Sequence, residues 1–270
     1  MLASAWSWDQ LDGPDRLWVT AAGLGLQAAS THTRFLFKTV LPQANLIGIK
    51  LAQLDVSLSR FSGAHLALAD LRKANVEETR FDGAVLYRAN LSWAEARGAD
   101  FRGALLEGAD LTEAVLVDAL LDGADLKLAI LNRAELCGAS FERARLLEAI
   151  LESADLSNAR LRGAHLTAAS LPLADLSGAD LSETVLKRCD LRAADFEGAR
   201  LDGALLDGAR FSASALDENG RPIATVLSER EAAPLPAREQ LAAARWHTIE
   251  VNGRPLARDA FDEFVYPPSP

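Results

Sequence analysis

From Leu41 to Phe211 every fifth residue is apolar without exception, and no other property of the chain limits its fold so severely. Of these 35 positions, 26 are Leu, six are Phe (Phe61, Phe81, Phe101, Phe141, Phe196, Phe211), two are Val (Val56, Val76) and one is Ala96. Two residues before each stands a small side chain, Ala at 28 of the 35 places; the exceptions are Thr39, Ile49, Leu54, Ser59, Thr79, Thr184 and Cys189. An unbroken short period marks a stacked-repeat architecture rather than a globular packing of separate elements. A spacing of five fits neither the period of about 3.6 of a helix nor the period of about 2 of a flat strand.

A closed path that satisfies the spacing makes each five-residue unit one side of a square coil, with its Ala and Leu pointing in and the other three residues out. Four units then close a turn of 20 residues. Successive turns lie about 4.8 Å apart, with backbones paired as in parallel strands. One turn is too thin to bury a core, so stability comes from stacking. The unit Ala-x-Leu-x-x resembles that of the pentapeptide-repeat family: Ala-Asp-Leu stands at 69–71, 109–111, 124–126, 154–156, 174–176 and 179–181, and Ala-Asn-Leu at 44–46 and 89–91. The resemblance implies an all-β solenoid, a right-handed quadrilateral β-helix of about nine coils with non-repeat N- and C-terminal caps.

Three regions follow: an N-terminal cap over residues 1–40, the pentapeptide-repeat β-helix over 41–215, and a C-terminal extension over 216–270. Open ends of a β-helix expose unpaired backbone and an apolar layer, and both need covers. Trp6, Trp8, Trp18, Phe35 and Phe37 give the first region the apolar content for that task. Ile49 and Leu54, oversized for the Ala slot, predict a distorted first coil. After Leu216 the period is lost, and Glu218-Asn-Gly-Arg-Pro-Ile-Ala224 is echoed by Val251-Asn-Gly-Arg-Pro-Leu-Ala257. Asn-Gly flanked by apolar residues predicts two tight turns. Between them the helix formers from Pro236 to Trp246 predict one helix laid over the last coil, and the end from Pro267 to Pro270 reads as disordered.

Net charge is −10 with a pI near 5.0, which disfavours direct binding to nucleic acid or to an anionic membrane. Cys137 and Cys189 cannot make a disulfide framework, the first eight residues lack the pattern of a secretion signal, and the apolar stretch Leu17–Leu26 is too short to span a bilayer. These features predict a cytoplasmic protein without a membrane segment, and the family resemblance implies a bacterial one. Catalytic chemistry is missing as well. His65 and His165 share one side but stand five coils apart, Cys189 fills an inward slot, and Cys137 is expected to be exposed. There is no zinc-ligand spacing and no Gly-rich phosphate loop leading into a helix; the many Gly residues, such as Gly63, Gly83 and Gly103, fall at the corners. A regular solenoid also lacks a deep pocket. The expectation is a non-enzyme that needs no cofactor.

Because residues 20 apart stack, the four outer sides are read separately. The side centred on Val56, Val76, Ala96 and Leu116 through Phe196 carries Asp55, Glu77, Glu78, Glu95, Asp118, Glu135, Asp155, Asp175, Asp195 and Glu197 against Arg97 alone, a net of −9. The other three sides come to 0, +1 and +1. Asp before the central Leu belongs to the repeat consensus and bonds nearby backbone at bends. That does not explain why another side holds Arg60, Arg80, Arg160 and Arg200 in the same slots, which makes the acidic side a candidate binding face. The adjoining side, centred on Leu46 through Leu206, directs Ile47, Val85, Tyr87, Leu105, Leu147, Val185 and Leu205 outward as a candidate contact stripe for a protein partner or a homodimer. Strand-forming residues on a strand surface are the plainer explanation of the same pattern.

Two functions are expected in order: a protein-interaction adaptor, then a DNA mimic. Similar family members, of the Qnr type and a mycobacterial fluoroquinolone-resistance protein, present an acidic rod to a type II topoisomerase, so the resemblance implies gyrase as a partner. The rod departs from the plasmid-borne Qnr proteins in lacking their inserted loops and in its long C-terminal extension. Duplex DNA carries close to three charges per coil height, at about one per 1.7 Å, whereas the acidic side supplies about one.

Overall fold

The computed structural model describes residues 37–211, 238–251 and 254–258; the cap before Phe37, the first Asn-Gly turn and the Pro-rich end lie outside them. From Val40 opposite Arg60 to Asp190 opposite Arg210, the residue before each central position is bridged in parallel to the residue 20 further on, with no break. The bonds around Leu156 show the pattern. Its N–H donates to Asp175 O at 2.7 Å, Asp175 N–H donates back to Ala154 O at 2.9 Å, and Ala159 N–H closes a turn on Leu156 O at 3.0 Å. Every pentad is therefore one bridge and one β-turn. The residue two after each central one from Leu41 to Leu206 has φ between 50 and 72°, as the third residue of a type II turn requires. From Gln43 to Gly208, thirteen of these corners are Gly, which adopts that φ without cost, and 21 are side-chain-bearing residues that each forfeit about 1 kcal/mol. At Gly138 and Gly178 even space is short: an added Cβ would lie 2.5 Å from Asp118 Oδ1 and 2.6 Å from Asn158 Oδ1.

The Ala and Leu ladders point inward and are almost wholly buried. Phe61, Phe81 and Phe101 stack in one column at centroid separations of 5.5 and 5.0 Å, with Phe141 buried on the same side two coils further along. Inward polar groups are satisfied: Thr79 Oγ1 donates to Val56 O at 2.9 Å and Cys189 Sγ donates to Leu166 O at 2.8 Å. Ile49 and Leu54 do not distort the first coil. Their neighbours keep the ladder, Lys50 with Asp70 and Asp55 with Asn75; Ile49 is buried, and Leu54 is accommodated by remaining half-buried.

The repeat ends in strand β1 (Arg210–Phe211), and the chain re-enters with helix α1 (Arg238–Ala243) and strands β2 (Thr248–Val251) and β3 (Arg254–Ala257). The helix is shorter than the sequence suggests because the residues after it return to the rod. Arg245 bridges Leu205, Glu250 pairs with Arg210 and Val251 with Phe211, each 40 residues on rather than 20. Leu241, Ala244, Trp246, Ile249 and Val251 thereby take the inward slots of a further coil, and all are buried. The five-residue phase returns at Leu241 after its loss beyond Leu216. Gln240 seals the corner beside the helix, its Nε2 donating to Phe196 O at 2.9 Å and Ala199 O at 2.6 Å. β3 runs antiparallel to β2 with Val251 opposite Arg254, the pairing expected of strands joined through Asn252-Gly253, itself outside the described residues. The N–H of His247 donates to Asp207 Oδ1 at 2.8 Å, with its Nδ1 at 3.1 Å and Lys187 Nζ 3.8 Å from the other oxygen.

Leu156→Asp places an unpaired charge in the ladder, so the rod is expected to unfold or aggregate; circular dichroism and thermal melting like those of the wild type would contradict an inward Leu ladder. The terminal coil is expected to be acid-labile. The His247 backbone N–H holds the Asp207 carboxyl below the usual carboxylate range, so its contribution is present above that range and is lost as pH falls through and below it. Protection against amide exchange, taken relative to the intrinsic rate at each pH, should fall at Leu206 to Gly208 and at Thr248 to Val251 below about pH 4, and Asp207→Ala should show the same loss of protection at neutral pH.

Candidate interaction surfaces

The acidic side is built on the column Asp55, Asn75, Glu95, Val115, Glu135, Asp155, Asp175 and Asp195, each bridged to the next. Asp55, Asp155, Asp175 and Asp195 each accept the backbone N–H two residues on through Oδ1, at 2.9 to 3.0 Å. That contact is the repeat's own, since Asp110 and Asp180 make it on other sides. What differs is the residue receiving the rest of the charge. Where Arg follows two places after the Asp, the carboxylate is clamped from both oxygens: Arg72 on Asp70, Arg102 on Asp100 and Arg192 on Asp190, at 2.5 to 2.8 Å. These guanidiniums draw the Asp70 and Asp100 carboxyls below their ordinary value. On the acidic side the followers are Ser57, Glu77, Ser157, Ser177 and Glu197, and the one base, Arg97, reaches only Glu77 and Glu135, at 3.9 Å each. Asp55, Glu78, Glu95, Asp118, Asp155, Asp175, Asp195 and Glu197 make no ion pair among the described residues; every other ion pair there lies on the remaining sides or at the terminal coil.

The apolar stripe is interrupted. Ile47, Val85, Tyr87, Leu105, Leu147, Val185 and Leu205 do face outward on one side, but Asp125 and Arg145, paired at 3.1 Å, and Glu107 and Lys127, paired at 3.6 Å, divide it. Ile47, Val85, Tyr87 and Leu105 form a patch in the first four coils; Leu147 stands apart, and Val185 and Leu205 lie near the terminal coil, half-buried. Leu68, at a corner between Ile47 and Tyr87, belongs to the patch and is 54% exposed, whereas the exposed Leu128 stands beside the dividing Lys127. The period places both corners outward, so a count that included corner positions would have found them. Cys137 is half-buried rather than exposed, because it lies in the middle of a side between stacked neighbours Val117 and Ser157. Burial pushes the Cys189 thiol up to about 12.

A further column, unremarked in the sequence, borders the acidic side. Trp93, at a corner with φ of 57°, has the Lys73 ammonium 5.5 Å from its ring centre and donates its Nε1–H to Glu113 Oε2 at 2.8 Å; Glu113 in turn meets Arg133 at 3.5 Å. The signal was the 20-residue spacing of Lys73, Trp93, Glu113 and Arg133. Among the described residues no three His, Cys, Asp or Glu side chains are grouped to hold a metal ion, and no helix is long and apolar enough to cross a membrane.

The family profile described as Pentapeptide repeats matches residues 39–77, 64–103, 89–127, 129–167 and 174–212. No curated protein sequence matches the chain. Among solved structures, HetL, a pentapeptide repeat protein involved in heterocyst differentiation regulation from the cyanobacterium Nostoc sp. strain PCC 7120, is 29% identical over 65% of this chain and 92% of its own, with a TM-score of 0.34. Full-length QnrB1, a plasmid-mediated fluoroquinolone resistance protein, is 19% identical over 66% of this chain and 93% of its own, with a TM-score of 0.43. The profile spans more than half of the sequence at the spacing that the backbone ladder follows, and the chain belongs to the pentapeptide-repeat family of right-handed quadrilateral β-helices.

Proposed function

We propose that the protein is a non-catalytic interaction rod that presents its acidic side to a basic surface of a protein partner. The observation that carries this reading is the distribution of ion pairs. A fold that needs Asp only for its bends is served equally well by Asp with a following Arg, as at Asp70, Asp100 and Asp190. Leaving Glu135, Asp155, Asp175 and Asp195 on consecutive rungs about 4.8 Å apart, with no base among them except Arg97 at one end, raises mutual repulsion that a basic partner relieves. Trp93 at the border adds a fixed aromatic anchor of the type that dominates binding energies. The narrower reading, in which the rod stands in for duplex DNA on gyrase, rests on the same charges at roughly a third of the duplex density.

The test is Asp155, Asp175 and Asp195 changed together to Lys, with Glu142, Glu148 and Glu152 changed together to Lys as a control of equal charge change on the other three sides. Binding to a captured partner should fall at least tenfold in the first variant and little in the second, and wild-type affinity should decline with salt. Equal loss in both, or none in either, overturns the reading. Inhibition of gyrase supercoiling by the wild type, lost in the first variant alone, would identify the enzyme as the partner; its absence at excess rod would remove the DNA-mimic form and leave the adaptor. The apolar patch is tested separately. Leu68, Tyr87 and Leu105 changed to Ser should leave the melting temperature within a few degrees of wild type, since these side chains pack little against the core. Unchanged partner capture in that variant would confine binding to the acidic side.

A further inference from the structure

We infer that β3 is a chain stopper, holding shut a strand edge through which a second copy of the protein would otherwise add end to end. A β-helix whose last coil is regular ends in a row of unpaired N–H and C=O groups, a ready template for another strand. Among the described residues the last coil is the one resumed at Leu241, and its strand β2 has two distinct edges. Glu250 N–H donates down to Ala209 O at 2.7 Å and Thr248 O accepts from Gly208 N–H at 2.8 Å, so the backbone groups of these two residues face the rod. Those of Ile249 and Val251 then face the open end, where β3 meets them in antiparallel register, Ile249 opposite Leu256 and Val251 opposite Arg254.

The alternation continues through β3. Leu256 and Arg254 direct their backbone groups to β2, so Pro255 and Ala257, opposite Glu250 and Thr248, direct theirs outward to the new edge. Pro255 has no N–H to give there, and a proline on that edge removes the donor that a further strand would need. Reversal of direction adds to the block, because among the described residues the rod's ladder is parallel and β3 alone runs against it. The apolar layer beneath is closed as well: Trp246 fills the inward column, and Arg258, just after β3, lies over its ring at 5.2 Å while donating from Nη1 to Ala244 O at 2.7 Å. The edge under β3 already accepts an antiparallel strand, so the occupant that fits it once β3 is displaced is β2 of a second copy, related by a twofold axis across the rod end.

Two substitutions test this in the full chain. Leu256→Pro removes the N–H by which β3 holds the Ile249 rung, and Pro255→Val keeps β3 in place but returns an outward donor. Light scattering and electron microscopy over a concentration series should show particles of doubled mass and doubled length in Leu256→Pro, and a smaller fraction of them in Pro255→Val, relative to wild type. A Thr248→Cys/Ala257→Cys pair, directly opposite in register, should lock β3 down when oxidised and abolish the assembly gained by Leu256→Pro, while leaving that of Pro255→Val. Unchanged mass and length in both proline variants, with circular dichroism showing an intact rod, overturns the inference. So does association side by side without growth in length, or wild-type rods that already join end to end.

Discussion

Everything in this molecule depends on one hydrogen-bonded step: backbone N–H and C=O groups meet partners 19 or 21 residues away, so that bridged residues stand 20 apart. Each coil has so little interior that it cannot stand without the coil above and below. The step forces a turn at every fifth residue, and the turn forces a left-handed corner, which is why even Trp93, Leu68 and Arg133 adopt a φ that favours Gly. The loss at those corners is spread over the whole rod and recovered in the inward ladders, where the central side chains are buried coil upon coil and the Phe61 to Phe101 column stacks face on.

The same step explains which features were legible in the sequence. A period of five over 35 units names its inward residues without ambiguity, and Leu41 through Phe211 are buried where the spacing put them. The phase also sorts the outer residues into sides, so the acidic column and the outward direction of Ile47, Tyr87 and Leu105 could be read in advance. The terminal coil was not legible. Leu241, Ala244, Trp246, Ile249 and Val251 keep the five-residue phase, but Trp and Ile in place of Leu and Ala, next to strong helix formers, hide it. Nor does a count of charge per side reveal pairing. Whether an Asp is neutralised depends on the residue two places later, which separates Asp100 with its Arg102 clamp from Asp175 with Ser177.

The interruption of the apolar side has a similar origin. Position alone puts Val85 and Val185 in one column, yet three polar rungs, Asp125, Arg145 and His165, stand between them. Stacking at short intervals makes neighbours on a side interact strongly, so ion pairs such as Arg145 with Asp125 form rung to rung and turn a formal stripe into separate patches. Surface character here is a property of runs of three or four coils, and it changes along the rod.

Outward residues on one side touch their own column and its borders, and the inward ladders shield them from the opposite side. A substitution on the acidic column therefore leaves the far columns in place, and the four sides are four independent records written on one core. A family built this way can acquire a new partner on one side while retaining an old one on another. It can also lengthen a binding face by duplicating 20 residues, with no redesign of what lies inside.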